Sequence, residues 1–144
     1  MTQAVSPFDR VQTSLLRQGM MQHLDVTLIE ATQGRCVLTM PYGDKVTQQQ
    51  GGFHGGAIGA LADIAGGYAG LTVLPEGMEI VTVEYKINFI SGCQGGTLRA
   101  TGEVLKAGKR IITATAEVHH IDADGQARLC ALMQQTLMPV SQNY

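Results

Sequence analysis

Between Gly55 and Leu74 the chain reads GGAIGALADIAGGYAGLTVL, twenty residues with a single charge, Asp63, and no proline. A run this long and this apolar predicts a helix buried on most sides, and few arrangements of a 144-residue chain can surround one. A membrane span is the rival reading, but Asp63 at mid-bilayer would cost roughly 3 kcal/mol. No Lys or Arg anchors either end of the segment. A buried helix in a soluble protein is therefore expected, with no membrane partner.

The rest of the composition narrows the class. With 44% hydrophobic residues the chain can bury one core, so a single domain spanning residues 1–144 is expected. The ten Lys and Arg are scattered and the net charge is -2, which leaves no basic stripe for nucleic acid. Cys36, Cys93 and Cys130 are odd in number and contain no CxxC pair, as expected of reduced thiols in the cytosol. The N-terminal residues MTQAVSPFDR lack a basic segment followed by an apolar one, so no export signal is expected and a cytoplasmic location follows. His23, His119 and His120 stand at no ligand spacing, and no metal is expected.

Along the chain, Ser6-Pro7-Phe8-Asp9 reads as a helix cap, and Phe8, Val11 and Leu15 recur at helical spacing up to Gly19. Leu24, Val26 and Leu28, then Cys36, Leu38 and Met40, alternate with polar residues around Gln33-Gly34, which predicts a hairpin. Tyr42 to Phe53 is a polar loop leading to the long helix, expected from about His54 to Thr72. After the turn at Pro75-Glu76-Gly77, Val81, Val83, Tyr85, Ile87 and Phe89 share one face and Thr82, Glu84, Lys86 and Asn88 the other, a strand with one buried face. Three more strands are expected over Thr97–Ala107, Arg110–Ile121 and Gln126–Met138. Strands and helices do not alternate, so the class is α+β, an antiparallel sheet with one long helix against its face.

On that helix Leu61, Ala65, Tyr68 and Thr72 centre an apolar arc expected to lie on the sheet. Gly56, Gly59, Gly66, Gly67 and Gly70 fall on the other side with Asp63 in their midst. Each interior glycine costs about 1 kcal/mol relative to alanine, so a stripe of them marks a face that something approaches closely, a second helix or a ligand. A covered Asp63 is partly desolvated and a stronger base or nucleophile than a hydrated aspartate. A merely solvated face would carry several charges and few glycines.

The loop before the helix, Gln48-Gln49-Gln50-Gly51-Gly52-Phe53-His54-Gly55-Gly56, ends at a helix N-terminus whose first N–H groups lack partners. The N–H of Gly55 or Gly56 is a candidate to hold a developing oxyanion. Neither GxxxxGK nor GxGxxG is present, so this is not a phosphate loop.

The pattern Gln48-x-x-Gly51-x-x-His54-Gly55-Gly56, followed by Asp63, resembles the signature of hotdog-fold thioesterases of the phenylacetate-pathway (PaaI-like) and hydroxybenzoyl-CoA type. The likeness runs from about Asp25 to Met138 and includes the strand Val81 to Phe89 and the segment Val104-Leu105-Lys106-Ala107-Gly108-Lys109. It implies a hotdog fold, in which an antiparallel sheet wraps one long central helix, and hydrolysis of an acyl-CoA by a dimer or dimer of dimers. It further implies Asp63 as the catalytic carboxylate, Gly55 as the backbone donor to the thioester carbonyl, and Gln48 beside that carbonyl or the attacking water. His54 matches a histidine whose role is more often structural. Thr82 matches a hydroxyl residue that holds the water in some relatives, or is only a good strand former.

Lys106, Lys109 and Arg110 flank a turn and are candidates to meet CoA phosphates, though such charges are usually just solvated. No other cofactor is implied. A hotdog dehydratase or hydratase, or an acyl-CoA binding module, are the rival readings; the absence of GxSxG leaves no serine-hydrolase alternative. Gly55 and Asp63 are eight residues apart on one helix, or about 12 Å at 1.5 Å per residue. They cannot readily serve one carbonyl, so each site is expected to combine two chains.

Overall fold

Ser6 starts the first helix as its neighbours predict: its hydroxyl accepts from the Asp9 N–H at 3.0 Å and donates to the Asp9 carboxylate at 2.7 Å, with Pro7 in the first turn. The computed structural model describes residues 3–144. Helix α1 (Pro7–Leu15) is followed by a second short helix, α2 (Gly19–His23), where the sequence pattern predicts only the approach to a strand. Asp25, at φ 57°, turns the chain, so buried Leu24 and Val26 precede β1 (Thr27–Thr32) rather than forming its start. β2 (Arg35–Pro41) completes the expected hairpin.

The remaining elements are the long helix α3 (Gly55–Leu71) and the strands β3 (Met78–Phe89), β4 (Thr97–Ala107), β5 (Ile112–Ile121) and β6 (Ala127–Ser141). The six strands form one sheet in the order β1-β2-β4-β5-β6-β3, every neighbour antiparallel. This is the α+β architecture expected, a hotdog fold with the sheet wrapped around α3. Both ends of α3 match expectation: His54 caps its start and Thr72 follows its last turn. Twelve of its 17 residues are buried, so it is a core helix rather than an amphipathic one. No helix among the described residues is long and apolar enough to cross a membrane.

What lets a sheet close around this helix is small residues on both surfaces. Ala100, Ala114, Ala116 and Ala131 are fully buried on β4, β5 and β6. Between them Gly102 comes so near α3 that a Cβ on it would stand 2.1 Å from the Ala65 carbonyl oxygen. The helix glycines answer from the other side: a Cβ on Gly66 would lie 1.5 Å from the Gln135 Oε1, and one on Gly70 would lie 2.7 Å from Leu137. At Gly66 and Gly70 the close neighbour is thus the chain's own sheet, while a Cβ on Gly67 would meet nothing within 4 Å. Tyr68, expected on the sheet, instead points to the N-terminal helices, where its hydroxyl accepts from Gln18, just before α2, at 2.7 Å and donates to Ser14 on α1 at 3.0 Å.

β3 departs from the predicted alternation, and the reason is a bulge. Thr82 pairs with Leu137 but Glu84 pairs with Thr136, so Val83 is an extra residue. Leu137 and Gln135 both face α3, and so do their partners Thr82 and Tyr85. The bulge therefore moves Thr82 from the outward face predicted for it to the helix side. The predicted buried face is only partly formed within one chain: Ile87 packs against the core, whereas Val81, Val83, Tyr85 and Phe89 are 40–57% exposed on this edge strand.

The close contacts make a paired prediction. Gly102→Ala should lower unfolding free energy by about 1–3 kcal/mol through overpacking against the α3 backbone. Gly67→Ala meets open space and should leave stability equal or higher by up to about 1 kcal/mol through helix propensity. Urea unfolding of both variants checks the contrast, and equal losses would contradict it.

Candidate active site

Asp63 sits half-buried near the middle of α3, and its carboxylate is held from the sheet side. The Thr82 hydroxyl donates to Asp63 Oδ1 at 2.8 Å, a contact that exists because the Val83 bulge turns Thr82 inward. The Gln135 amide on β6 donates to the same oxygen at 2.9 Å. Neither bond uses Oδ2. Asp63 and Thr82 stand in the wall of a cleft of about 780 Å³ between α1, α3 and the start of β3. Ile64, Gly67, Leu71 and Ile80 give the cleft an apolar surface, and Ser14, Gln18 and Tyr68 give it a polar end. Burial pushes the Tyr68 phenol up to about 12, partly offset by its bonds to Ser14 and Gln18, so at neutral pH it is an uncharged donor.

Arg10 shapes the same cleft and has no role in the sequence reading. Its guanidinium donates to the carbonyls of Leu74 at 2.5 Å, Pro75 at 3.0 Å and Met78 at 2.9 Å, fastening α1 to the turn between α3 and β3. A lone arginine in an amphipathic helix carries no sequence signal for this; only the three bared carbonyls of the turn explain it.

The helix N-terminus forms a second group. His54 Nδ1 accepts from the Gly56 N–H at 2.7 Å, and the Ala57 and Ile58 N–H groups return to the His54 carbonyl at 3.0 Å. Of the two glycines considered as oxyanion donors, Gly56 is thus engaged, while the Gly55 N–H donates to nothing among the described residues. The Phe89 ring lies over Gly55, 3.3 Å from where a Cβ would be. Gln48 is in a tight turn just upstream: its N–H donates to the Gly52 carbonyl at 2.9 Å, and its side-chain oxygen accepts from the Gln50 N–H. The structure therefore brings Asp63 together with Thr82, and Gly55 beside the capping His54, while the Gln48 side chain turns back onto its own turn against Gly52; no hydrogen bond among the described residues joins Asp63 to the start of the helix.

Lys106, Lys109 and Arg110 lie on the β4–β5 hairpin, exposed and without a salt bridge among the described residues. That hairpin runs on past the last β2–β4 pair, Arg35 with Glu103; next to it the Val104 N–H donates to Gly34, and the Gly34 N–H donates to Thr72 at the C-terminal end of α3. The three cations thus stand at the end of the helix opposite Gly55. Cys93 and Cys130 are buried together near the Phe53 loop, and the neighbouring Cys130 draws the Cys93 thiol down. Neither lines the cleft.

Comparison with known proteins identifies the family. The family model described as the thioesterase superfamily matches residues 50–125, which hold the glycine loop from Gln50 onward, α3 and the hairpin cations. A Saccharolobus solfataricus protein provisionally named an esterase is 41% identical over 103 residues, 72% of this chain and 71% of its own length. The crystal structure of a thioesterase family protein from Silicibacter pomeroyi superposes with a TM-score of 0.91 at 34% identity, covering 95% of this chain and all of that one. The PaaI protein of the E. coli phenylacetic acid degradation operon shares the fold, with a TM-score of 0.82 at 22% identity over 95% of each chain. The chain belongs to the thioesterase superfamily.

Proposed function

We propose that the protein hydrolyses acyl-CoA thioesters, with the Asp63 carboxylate as the reacting group of a single-domain chain acting in the cytoplasm. The observation that carries this reading is that the only charge of α3 lies in the wall of a cleft beside apolar Ile64, Leu71 and Ile80, tied on one oxygen by Thr82 with the other oxygen uncommitted among the described residues. Asp63 Oδ2 either takes a proton from water as the water attacks the thioester carbon, or attacks that carbon itself to give a mixed anhydride that water then opens. In both routes the C–S bond breaks and the thiolate leaves to be protonated as CoA. The Gly55 N–H, with the positive end of α3 behind it, stabilises the oxyanion. Gln48 orients the carbonyl or the water, and His54 keeps the turn in shape by capping Gly56.

The separation of the two groups supports an active site shared between chains in a dimer or dimer of dimers. β3 offers the surface for it: a 12-residue edge strand with exposed Val81, Val83, Tyr85 and Phe89, against a six-residue β1 at the other edge. Pairing two such edges about a two-fold axis runs the helices antiparallel and carries Gly55 of one chain toward Asp63 of the other. The same symmetry carries the hairpin cations of one chain toward its partner's Gly55, where Lys106, Lys109 and Arg110 would meet the phosphates of CoA. Buried free thiols at Cys36, Cys93 and Cys130 are compatible with a reducing compartment.

Thiol release measured across a panel of acyl-CoA thioesters tests the reading, and no release from any member would overturn it. Asp63→Asn should keep fold and assembly and lower kcat by about 10² or more, since a carboxamide is neither base nor nucleophile. Thr82→Val, which keeps shape but removes the hydroxyl, should lower kcat by about tenfold, equivalent to about 1.4 kcal/mol of transition-state stabilisation. Normal turnover by the first variant would remove Asp63 from the mechanism, and by the second would leave Thr82 a strand former only.

A further inference from the structure

We propose that Gln135 is a positioning residue for the reaction, fixing the Asp63 carboxylate so that Oδ2 alone faces the thioester. The inference rests on the thioesterase reading and deepens it. Gln135 is fully buried on the inner face of β6, between Met133 and Leu137, in a strand whose other inward positions are apolar. Burying an amide there is unfavourable unless both its ends are bonded. Only one is: Nε2 donates to Asp63 Oδ1 at 2.9 Å and lies 3.4 Å from the Asp63 carbonyl, while Oε1 has no partner among the described residues. A leucine or methionine would leave no orphaned oxygen, so packing alone does not account for a glutamine at this position.

The amide is also held in one orientation. Turned over, it would present Oε1 to the ionised carboxylate, oxygen against oxygen, so the orphaned oxygen is the consequence of keeping the N–H on Asp63. Gly66 leaves the space in which that oxygen sits, since a Cβ there would be 1.5 Å from it. Asp63 lies three residues before Gly66 on the same helix, so one turn of α3 supplies both the carboxylate and the gap that admits its clamp. Thr82 donates to Oδ1 from β3 and Gln135 from β6, two strands whose pairing fixes the distance between the donors. With Oδ1 accepting twice, the plane of the carboxylate is set and Oδ2 is the oxygen left to take a proton or form a bond.

The test uses Gln135→Met, close in length and shape but without a donor, with Gln135→Leu as the second variant should the first not fold. Expected is a fall in kcat of about ten- to a hundredfold, KM within about twofold because Gln135 does not line the cleft, and an acid limb of the kcat profile moved to higher pH. A merely structural role would lower thermal stability and leave the pH profile in place. An independent arm follows the Gln135 side-chain amide protons by NMR: their resonances should shift strongly between the wild-type protein and Asp63→Asn. Wild-type kcat and pH profile in a folded Gln135→Met protein, or amide resonances indifferent to Asp63→Asn, would overturn the proposal. If instead Asp63→Asn itself retains full hydrolysis, the failure lies with the catalytic reading, and the NMR arm still decides the contact.

Discussion

The approach of β4 and β6 to a helix almost bare of side chains is the constraint on which the rest depends. Gly102 against the Ala65 carbonyl, Gln135 against Gly66 and Leu137 against Gly70 bring the sheet to within backbone distance of α3. Glycine is a poor helix former, so these residues are tolerated only because the burial they permit exceeds their propensity cost. A wider helix would hold the sheet off, and neither Thr82 nor Gln135 would reach Asp63. The carboxylate is therefore not simply carried by the helix; its surroundings are a product of how thin the helix is.

The same helix divides the proposed chemistry in two. Its N-terminus offers one unclaimed N–H, at Gly55, because His54 takes the next one. Its middle offers the carboxylate, two turns further on. One rigid rod cannot bend these ends onto a single carbonyl, but two rods related by symmetry can pair unlike ends. The exposed apolar edge of β3 is consistent with that need, since such an edge is otherwise a liability for a single chain.

Much of this is legible in the sequence. Ser6-Pro7 and His54 mark helix starts, the isolation of Asp63 in a glycine stripe marks it as special, and period-two patterns locate the later strands. Two things are not. Strict alternation assigns Thr82 to the outward face, and no residue type around Val83 announces the bulge that reverses it, because the bulge follows from the register of β3 against β6. The glycine stripe indicates close contact but not with what, since a partner helix, a ligand and the chain's own sheet all require the same absence of Cβ. Gln135 did leave a signal: on β6, Ala131, Met133, Gln135 and Leu137 form one inward row, and a polar side chain in such a row must have a partner.

Subunit mixing tests the two-chain site most directly. An Asp63→Asn chain and a Gln48→Ala chain, each expected to be inactive alone, are unfolded together and refolded at equal ratio. A site that takes its carboxylate from one chain and its Gln48 turn from the other predicts that heterodimers contain one intact and one doubly damaged site, restoring about a quarter of wild-type sites under random pairing. No recovery despite verified heterodimers, or full activity in an isolated monomer, would contradict it.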